Sequence, residues 1–180
     1  MIFFSLAILG LEAFLTLLAA GLLIFVVYAA IVGFAMGAPY VRSKKGSIGR
    51  MIDLAGISAG DVVVDMGSGD GSLVIAAARA GAQSALGVEM NPLLVWYSRL
   101  CIWRAGLGGR ASIIRGNFYD FPLDSSDVAF MYLWPSTVEK LGEKMKRELK
   151  PGSRVVSSAF PIAGWDPERA ENSVFLYRIG

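Results

Sequence analysis

The stretch Val62-Val63-Val64-Asp65-Met66-Gly67-Ser68-Gly69-Asp70-Gly71 decides the fold of this chain, together with Gly87-Val88-Glu89 further on. A run of valines that ends in an acid and a glycine-rich turn is typical of a buried β-strand whose carboxyl end faces a ligand. The second apolar run ends in Glu89, about 20 residues later, where an acid accepts hydrogen bonds from ribose hydroxyls. The pattern predicts a βαβ unit that binds a nucleotide-type ligand across its carboxyl edge.

The spacing of the glycines distinguishes between cofactors. In the dinucleotide fingerprint G-x-G-x-x-G, the third glycine packs the helix closely against the strand. Counted from Gly67, that position is Ser72. The chain instead reads Asp65-x-Gly67-x-Gly69-x-Gly71, which resembles motif I of the seven-strand methyltransferases that use S-adenosylmethionine (SAM). The resemblance implies that Asp65 lies near the methionine amino group of SAM, and a nicotinamide cofactor is the alternative.

The residues that we expect to contact SAM lie at the carboxyl ends of the first three predicted strands. After the third strand many SAM enzymes carry an acid for the adenine amino group, whereas this chain has Asn117, whose amide oxygen can accept the same hydrogen bond. Phe118 and Met90 are expected to pack on the two faces of adenine, with an ordinary core position as the alternative. Asp70 either orders the glycine turn or orients the carboxyl end of the methionine. The expected cofactor-binding set is Asp65, Gly67, Ser68, Gly69, Asp70, Gly71, Glu89, Met90, Asn117 and Phe118.

The N-terminal segment is strongly apolar. Glu12 is the only charged side chain before Arg42, and the segment from Ala13 to Met36 has no charge at all. At about 1.5 Å per residue this segment can cross roughly 30 Å of hydrocarbon, so we predict a transmembrane helix. A cleavable signal peptide would carry a basic start and a shorter apolar core, and a buried core helix would not be apolar on every side. Residues 2–10 either extend the helix or form a short re-entrant piece.

Basic residues follow the predicted membrane helix directly. They are Arg42, Lys44, Lys45 and Arg50. By the positive-inside rule they place the rest of the chain in the cytoplasm, and the same residues could also contact anionic lipid headgroups. We therefore expect a single-pass membrane protein with an anchor over residues 1–38 and a cytoplasmic catalytic domain over residues 39–180.

The composition excludes several kinds of chemistry. Cys101 is the only cysteine, and the chain has no histidine. Disulfides within the chain, zinc sites built from Cys and His, and Ser-His-Asp or Cys-His catalysis are therefore excluded, and we expect no metal. The lysines and arginines form no long basic stripe, so nucleic acid is not expected as a partner.

Predicted strands and helices alternate along the chain after the anchor. Such alternation predicts an α/β fold with a mainly parallel sheet and helices on both faces. Only residues 161–172 separate the fifth predicted strand from the last, which leaves little room for a crossover helix, so the last strand is expected to be antiparallel. Trp96, Tyr97, Leu100 and Trp103 lie at helical spacing and are interpreted as core or membrane-facing residues. The predicted helices are 48–55, 71–80, 92–105 and 137–149, and the predicted strands are 61–66, 84–88, 110–115, 127–133, 154–160 and 173–179.

Further motifs resemble one family. They are Pro39-Tyr40-Val41, Asn91-Pro92-x-Leu94-Val95-Trp96-Tyr97-Ser98, Phe160-Pro161 and Trp165-x-Pro167. Together with motif I they resemble the membrane-anchored protein-lysine methyltransferases typified by the mitochondrial enzymes for the ATP synthase c subunit and the adenine nucleotide translocase, and their small prokaryotic relatives. The run from Asn91 is more specific than motif I, which many methyltransferases share. The resemblance implies a Rossmann-like class I methyltransferase domain behind one membrane helix, which transfers methyl groups from SAM to a protein lysine.

The implied lysine substrate suggests aromatic residues on the substrate side. The amine must lose its proton, because the pKa of free lysine is near 10.4, and aromatic faces hold a cationic amine. The candidate catalytic residues are Tyr40, Trp134 and Trp165. Tyr40 follows the anchor, whereas packing beside Pro135 and a cap over the last strand are the alternatives for the two tryptophans.

The expected partners follow from the anchor and the resemblance. They are a membrane protein that presents a lysine, and the lipid bilayer itself, because an anchored enzyme meets lysines near the membrane at a raised effective concentration. A lipid or quinone methyltransferase and a non-catalytic SAM-binding sensor are the alternative functions. No oligomeric state is predicted.

Overall fold

The computed structural model describes residues 2–35 and 45–180, with side chains described for residues 10–28 and 46–180. The chain forms two compact units, Met1–Pro39 and Tyr40–Gly180. The first unit contains helix α1 (Ile2–Ala35), so the segment before Gly10 extends the helix. Its stretch Gly10–Tyr28 has the length and composition of a membrane span, and none of this stretch is buried against protein.

The second unit contains the predicted alternation of helices and strands. In chain order the elements are α2 (Lys45–Ala55), β1 (Val62–Met66), α3 (Ser72–Arg79), β2 (Ser84–Glu89), α4 (Pro92–Arg104), β3 (Ala111–Arg115), β4 (Val128–Met131), α5 (Pro135–Glu148), β5 (Arg154–Ser158), β6 (Arg169–Glu171) and β7 (Val174–Arg178).

The strands form one mixed sheet in the order β3-β2-β1-β4-β5-β7-β6. Strands β1 to β5 pair in parallel, and β7 pairs antiparallel with both β5 and β6. The predicted parallel sheet with an antiparallel last strand is therefore confirmed. The short strand β6 was not predicted, because its three residues are all exposed and show no alternation of apolar and polar side chains.

Several elements are shorter than predicted for local reasons. The fifth strand was expected to continue to Phe160, but Ala159 has a φ of 73°, which ends β5 at Ser158. Helix α4 begins at Pro92, and the side chain of Asn91 accepts a hydrogen bond from the N–H of Leu93 at 2.9 Å. Proline at the first turn and an asparagine cap are both favourable at a helix start.

Two hydrophobic cores pack against the sheet. One contains residues from α2, α3 and α4, such as Met51, Val74 and Ile102, and the other contains α5 residues such as Leu141 and Met145. Burial on both faces explains why β1 and β4 are continuous apolar runs.

Helix α4 does not place its aromatic residues in these cores. Val95, Ser98 and Ile102 are the buried residues of the helix, whereas Trp96 and Trp103 are exposed. The interpretation of the aromatic stripe as core packing is therefore wrong.

Candidate cofactor and substrate site

The glycine turn after β1 follows a path that favours glycine. Gly67, Gly69 and Gly71 have φ values of 87°, 54° and 75°. Side chains strain the backbone in this left-handed region, and glycine does not. The N–H groups of Gly67 and Ser68 both donate to the carbonyl of Val88, at 2.9 and 3.1 Å. The turn is therefore held against the end of β2.

Close packing adds a second reason for glycine at two of these positions. A Cβ on Gly71 would lie 2.9 Å from the Cβ of Ser98 on α4, and one on Gly67 would lie 3.0 Å from Cδ2 of Leu133. Ser98 and Leu133 therefore enclose the turn from two sides. The sequence interpretation did not assign either residue to the site, although Ser98 belongs to the motif that begins at Asn91.

Glu89 connects the turn to the start of α4. Its Oε2 accepts a hydrogen bond from the N–H of Gly69 at 2.9 Å, and its Oε1 accepts one from the N–H of Asn91 at 2.8 Å. Each carboxylate oxygen can accept a further hydrogen bond, because it has a second lone pair. The side chain is half-buried, so it is held in position and can still receive donors from a ligand.

Asp65 is an acid buried beneath the turn, with 4% of its surface exposed. Burial, followed by the nearby charges of Glu89 and Asp70, raises the pKa of its carboxyl group to about 8. The Oδ1 of Asp70 accepts a hydrogen bond from the N–H of Ser72 at 3.0 Å, so Asp70 orders the turn. Three acids close together favour a cationic ligand. Among residues 10–28 and 46–180, no group of three His, Cys, Asp or Glu side chains is arranged to hold a metal ion.

The expected adenine-binding residues follow β3. The Oδ1 of Asn117 accepts a hydrogen bond from the N–H of Tyr119 at 3.1 Å. Cε1 of Phe118 is 3.9 Å from the position that a Cβ on Gly67 would take, so the Phe118 ring lies beside the glycine turn. Met90 is half-exposed and lies between Glu89 and the start of α4. All ten expected cofactor residues therefore lie at the carboxyl ends of the adjacent parallel strands β1, β2 and β3.

These residues fit SAM. SAM is positively charged and carries a ribose, and the site offers a buried acid whose surroundings raise its pKa. Glu89 retains lone pairs for the ribose hydroxyls. The positions of Gly67 and Gly71 leave the turn free of side chains that would obstruct close approach.

The three expected catalytic residues are not brought together. Trp134 follows Leu133 beyond β4, at the same sheet edge as the glycine turn, and 47% of its surface is exposed. Trp165 instead packs edge-on against Tyr177 of β7, with ring centres 5.6 Å apart. Its Nε1 lies 3.9 Å from the Cβ position of Gly142 on α5, so Trp165 occupies the second core. Tyr40 lies outside the described residues, as do Arg42 and Lys44.

Comparison with known proteins agrees with this site. Residues 65–169 match the family described as the ANTKMT methyltransferase domain. A protein-lysine N-methyltransferase of Saccharolobus islandicus is 38% identical, over 79% of this chain and 94% of the relative. The adenine nucleotide translocase lysine N-methyltransferase of Mus musculus is 36% identical over 72% of this chain, and the lysine N-methyltransferase of Homo sapiens for the ATP synthase c subunit is 35% identical over 72%. The chain spans only 56% and 55% of the lengths of these two relatives.

Solved structures share the fold and include complexes with the product of SAM. An RNA methyltransferase from Salinibacter ruber in complex with S-adenosyl-L-homocysteine has a TM-score of 0.75 and 34% identity, over 77% of this chain and 94% of that chain. A SAM-dependent methyltransferase from Thiobacillus denitrificans, also with S-adenosyl-L-homocysteine, has a TM-score of 0.59 and 19% identity, over 71% and 54%. The second likeness concerns the fold alone.

Proposed function

The chain belongs to the family of the ANTKMT methyltransferase domain, and we propose that it methylates a lysine side chain of a membrane protein while α1 anchors it in the bilayer. It is a SAM-dependent methyltransferase. The observation that carries the lysine assignment is the 38% identity to a protein-lysine N-methyltransferase across nearly the whole length of that relative. The names of the mouse and human relatives point to the same reaction on two mitochondrial proteins.

The cofactor is held by the residues at the carboxyl edge. Asp65 binds the ammonium group, Glu89 binds the ribose hydroxyls, and Phe118 packs against the adenine. When bound, SAM supplies a methyl group on a positively charged sulfur, which is already activated for transfer. The contribution of the chain is therefore to orient the reacting groups and to exclude water from them.

The lysine amine reaches this edge beside Trp134. An aromatic face attracts the cationic amine by about 0.5–2 kcal/mol, depending on its hydration. Leu133, Trp134 and Phe118 make this edge apolar, and transfer from water into apolar surroundings lowers the pKa of an amine. The amine then loses its proton to solvent before it attacks. Trp165 packs in the second core, so we give it no part in this step.

The anchor restricts the enzyme to substrates at the membrane. Residues 1–38 form the anchor and residues 39–180 the methyltransferase domain, which the basic residues after α1 place in the cytoplasm. Tethering raises the effective concentration of lysines that lie just outside transmembrane helices. This arrangement favours a membrane protein as substrate.

A methyl-transfer assay tests the proposal. The full chain is incubated with labelled SAM and membranes from source cells that lack this protein. We expect label on a lysine peptide, identified by mass spectrometry, and loss of that label with Asp65→Ala. The matched control is Asp53→Ala, because Asp53 is an exposed acid on α2 away from the glycine turn.

Other outcomes of this assay would contradict the lysine assignment. Label that appears only in extracted lipid would identify a lipid or quinone methyltransferase. Label only in RNA would give the chain the activity named for its Salinibacter neighbour. SAM binding without any transfer would indicate a sensor.

A further inference from the structure

Helix α4 has a second apolar face, which is exposed to solvent in the described part of the chain. We call it the α4 aromatic face, and it consists of Leu93, Trp96, Tyr97, Leu100 and Trp103. Trp96 and Trp103 are 65% and 74% exposed, and the other three are also exposed. At 3.6 residues per turn these positions fall within about 120° of the helix surface, opposite the buried residues. A contiguous exposed apolar face of this kind marks an interaction surface, whereas single exposed apolar residues do not.

The charges around this face are of one sign. Between Met90 and Tyr119 the chain contains four arginines and no lysine, aspartate or glutamate, namely Arg99, Arg104, Arg110 and Arg115. All four arginines are exposed. Arg104 lies within the arc of the α4 aromatic face, between the directions of Leu100 and Tyr97. The face is therefore complementary to an anionic surface.

An open groove extends this surface towards the edge of the sheet. The groove has a volume of about 510 Å³ and lies between α4 and β3, where Trp103, Ile102 and Ser112 line it. Arg99 also lines the groove and donates from Nε and Nη2 to the carbonyl of Ile113, at 3.0 and 2.8 Å. The arginine is thus held beside the apolar face at the exposed edge strand.

We infer that the α4 aromatic face lies on the surface of an anionic lipid bilayer, with Trp96 and Trp103 in the headgroup region. Tryptophan and tyrosine concentrate at membrane–water interfaces because their rings are apolar and carry one polar group. Arginines near the surface add attraction to anionic lipids, about 1 kcal/mol for each charge. A soluble protein partner gives no comparable reason for a face without a single acid.

The inference rests on the proposed anchoring by α1 and deepens it. Residues 36–44 join α1 to α2, and ten extended steps between Ala35 and Lys45 span at most about 36 Å. The methyltransferase unit of an anchored chain therefore stays within reach of the bilayer. Because Asn91 caps α4 and also binds Glu89, contact of α4 with lipid would hold the cofactor edge close to the membrane surface.

Tryptophan quenching by lipid tests the inference. The full chain is reconstituted into nanodiscs of phosphatidylcholine with or without phosphatidylglycerol, whose acyl chains are brominated near the glycerol backbone. The chain has four tryptophans, two on the α4 aromatic face and two elsewhere. We expect quenching in the wild type and in the matched control Trp134→Phe/Trp165→Phe, and at least a roughly two-fold smaller quenched fraction in Trp96→Phe/Trp103→Phe.

Charge dependence is the second part of this test. Arg104→Gln/Arg110→Gln should lower the quenching in phosphatidylglycerol nanodiscs towards that in phosphatidylcholine alone, because the variant removes two exposed cations. The readout requires no methyl transfer. Quenching that persists without lysine methylation would therefore uphold the inference and refute the proposed substrate.

Several outcomes would overturn the inference. The first is a chain that floats with the lipid but shows equal quenching in the two double tryptophan variants, which would leave the anchoring intact. A chain that does not float would refute both the anchoring and the inference. Protection of Trp96 and Trp103 from both acrylamide and brominated lipid would mean that a second copy, a substrate protein or RNA covers the face instead.

Discussion

The carboxylate of Glu89 accepts a hydrogen bond from the backbone N–H of Gly69 across 2.9 Å. This contact joins the last residue of β2 to the turn that follows β1. The other carboxylate oxygen accepts from the N–H of Asn91, so the same side chain also fixes the start of α4. An acid that is expected to bind ribose thus first organises the site that receives the ribose.

We predict that Glu89→Gln weakens SAM binding by about ten- to one-hundred-fold. The variant keeps the size of the side chain but replaces one acceptor oxygen with an NH₂ group, which cannot accept from Gly69 or Asn91. Loss of a hydrogen bond to a charged group costs roughly 1.5–3 kcal/mol. Isothermal titration calorimetry with SAM measures the change. Glu143→Gln on the exposed side of α5 is the control, and equal affinity of both variants would refute the role of Glu89.

We further predict that SAM affinity rises with pH and levels off above about 8. In the free protein burial and the neighbouring acids raise the pKa of Asp65 to about 8, so Asp65 is mostly protonated at neutral pH. A cationic ligand favours the ionised carboxylate, and binding below pH 8 therefore releases a proton. Affinity can then change by up to about ten-fold for each pH unit.

The variant Asp65→Asn isolates this titration. It should bind SAM weakly and without the pH dependence, when both proteins are titrated over the range from pH 6 to about 9. The number of protons released, measured calorimetrically in buffers of different ionisation enthalpy, should fall to near zero in the variant. A pH profile of the wild type that is as flat as that of the variant would show that Asp65 does not face the charge of SAM.

The parts of the fold that depend on local sequence were predictable. The valine run of β1 and the glycine spacing identify a strand and a turn without reference to distant residues. The antiparallel β7 followed from the short segment before it. Strand β6 was not predictable, because three exposed residues owe their extended shape to pairing with β7 and not to a pattern of their own.

The site was predictable as a set of residues but not as a network. The distance along the chain between Asp65 and Glu89 suggested that both face one ligand. The bonds of Glu89 to Gly69 and Asn91 depend on the register of β1 against β2, which pairs Met66 with Val88. Likewise, α4 is apolar on both faces, so periodicity alone could not distinguish the buried face of Val95 from the exposed face of Trp96.

A glycine replacement tests the packing around the turn. Gly71→Ala places a Cβ 2.9 Å from the Cβ of Ser98, and the backbone there has a φ of 75°. Gly106→Ala is the matched control, because Gly106 has a φ of 69° and open space around the added methyl group. We expect about 1–2 kcal/mol of backbone strain in both variants and a further 1–3 kcal/mol in Gly71→Ala, measured by urea unfolding. Equal losses would mean that α4 moves away from the turn at no cost.

The contrast between Trp134 and Trp165 separates a substrate contact from core packing. Trp134→Ala removes a half-exposed ring at the cofactor edge, so we expect a roughly ten-fold lower kcat/KM for the lysine substrate, with unchanged SAM affinity and stability. Trp165→Ala removes the ring packed against Tyr177 and should lower the free energy of unfolding by about 2–4 kcal/mol. Trp134→Phe should restore most of the activity, because a phenyl face still attracts a cation. Methyl-transfer kinetics, SAM titration and urea unfolding of all three variants provide the measurements. Full activity in Trp134→Ala would exclude an aromatic contact with the lysine at this position.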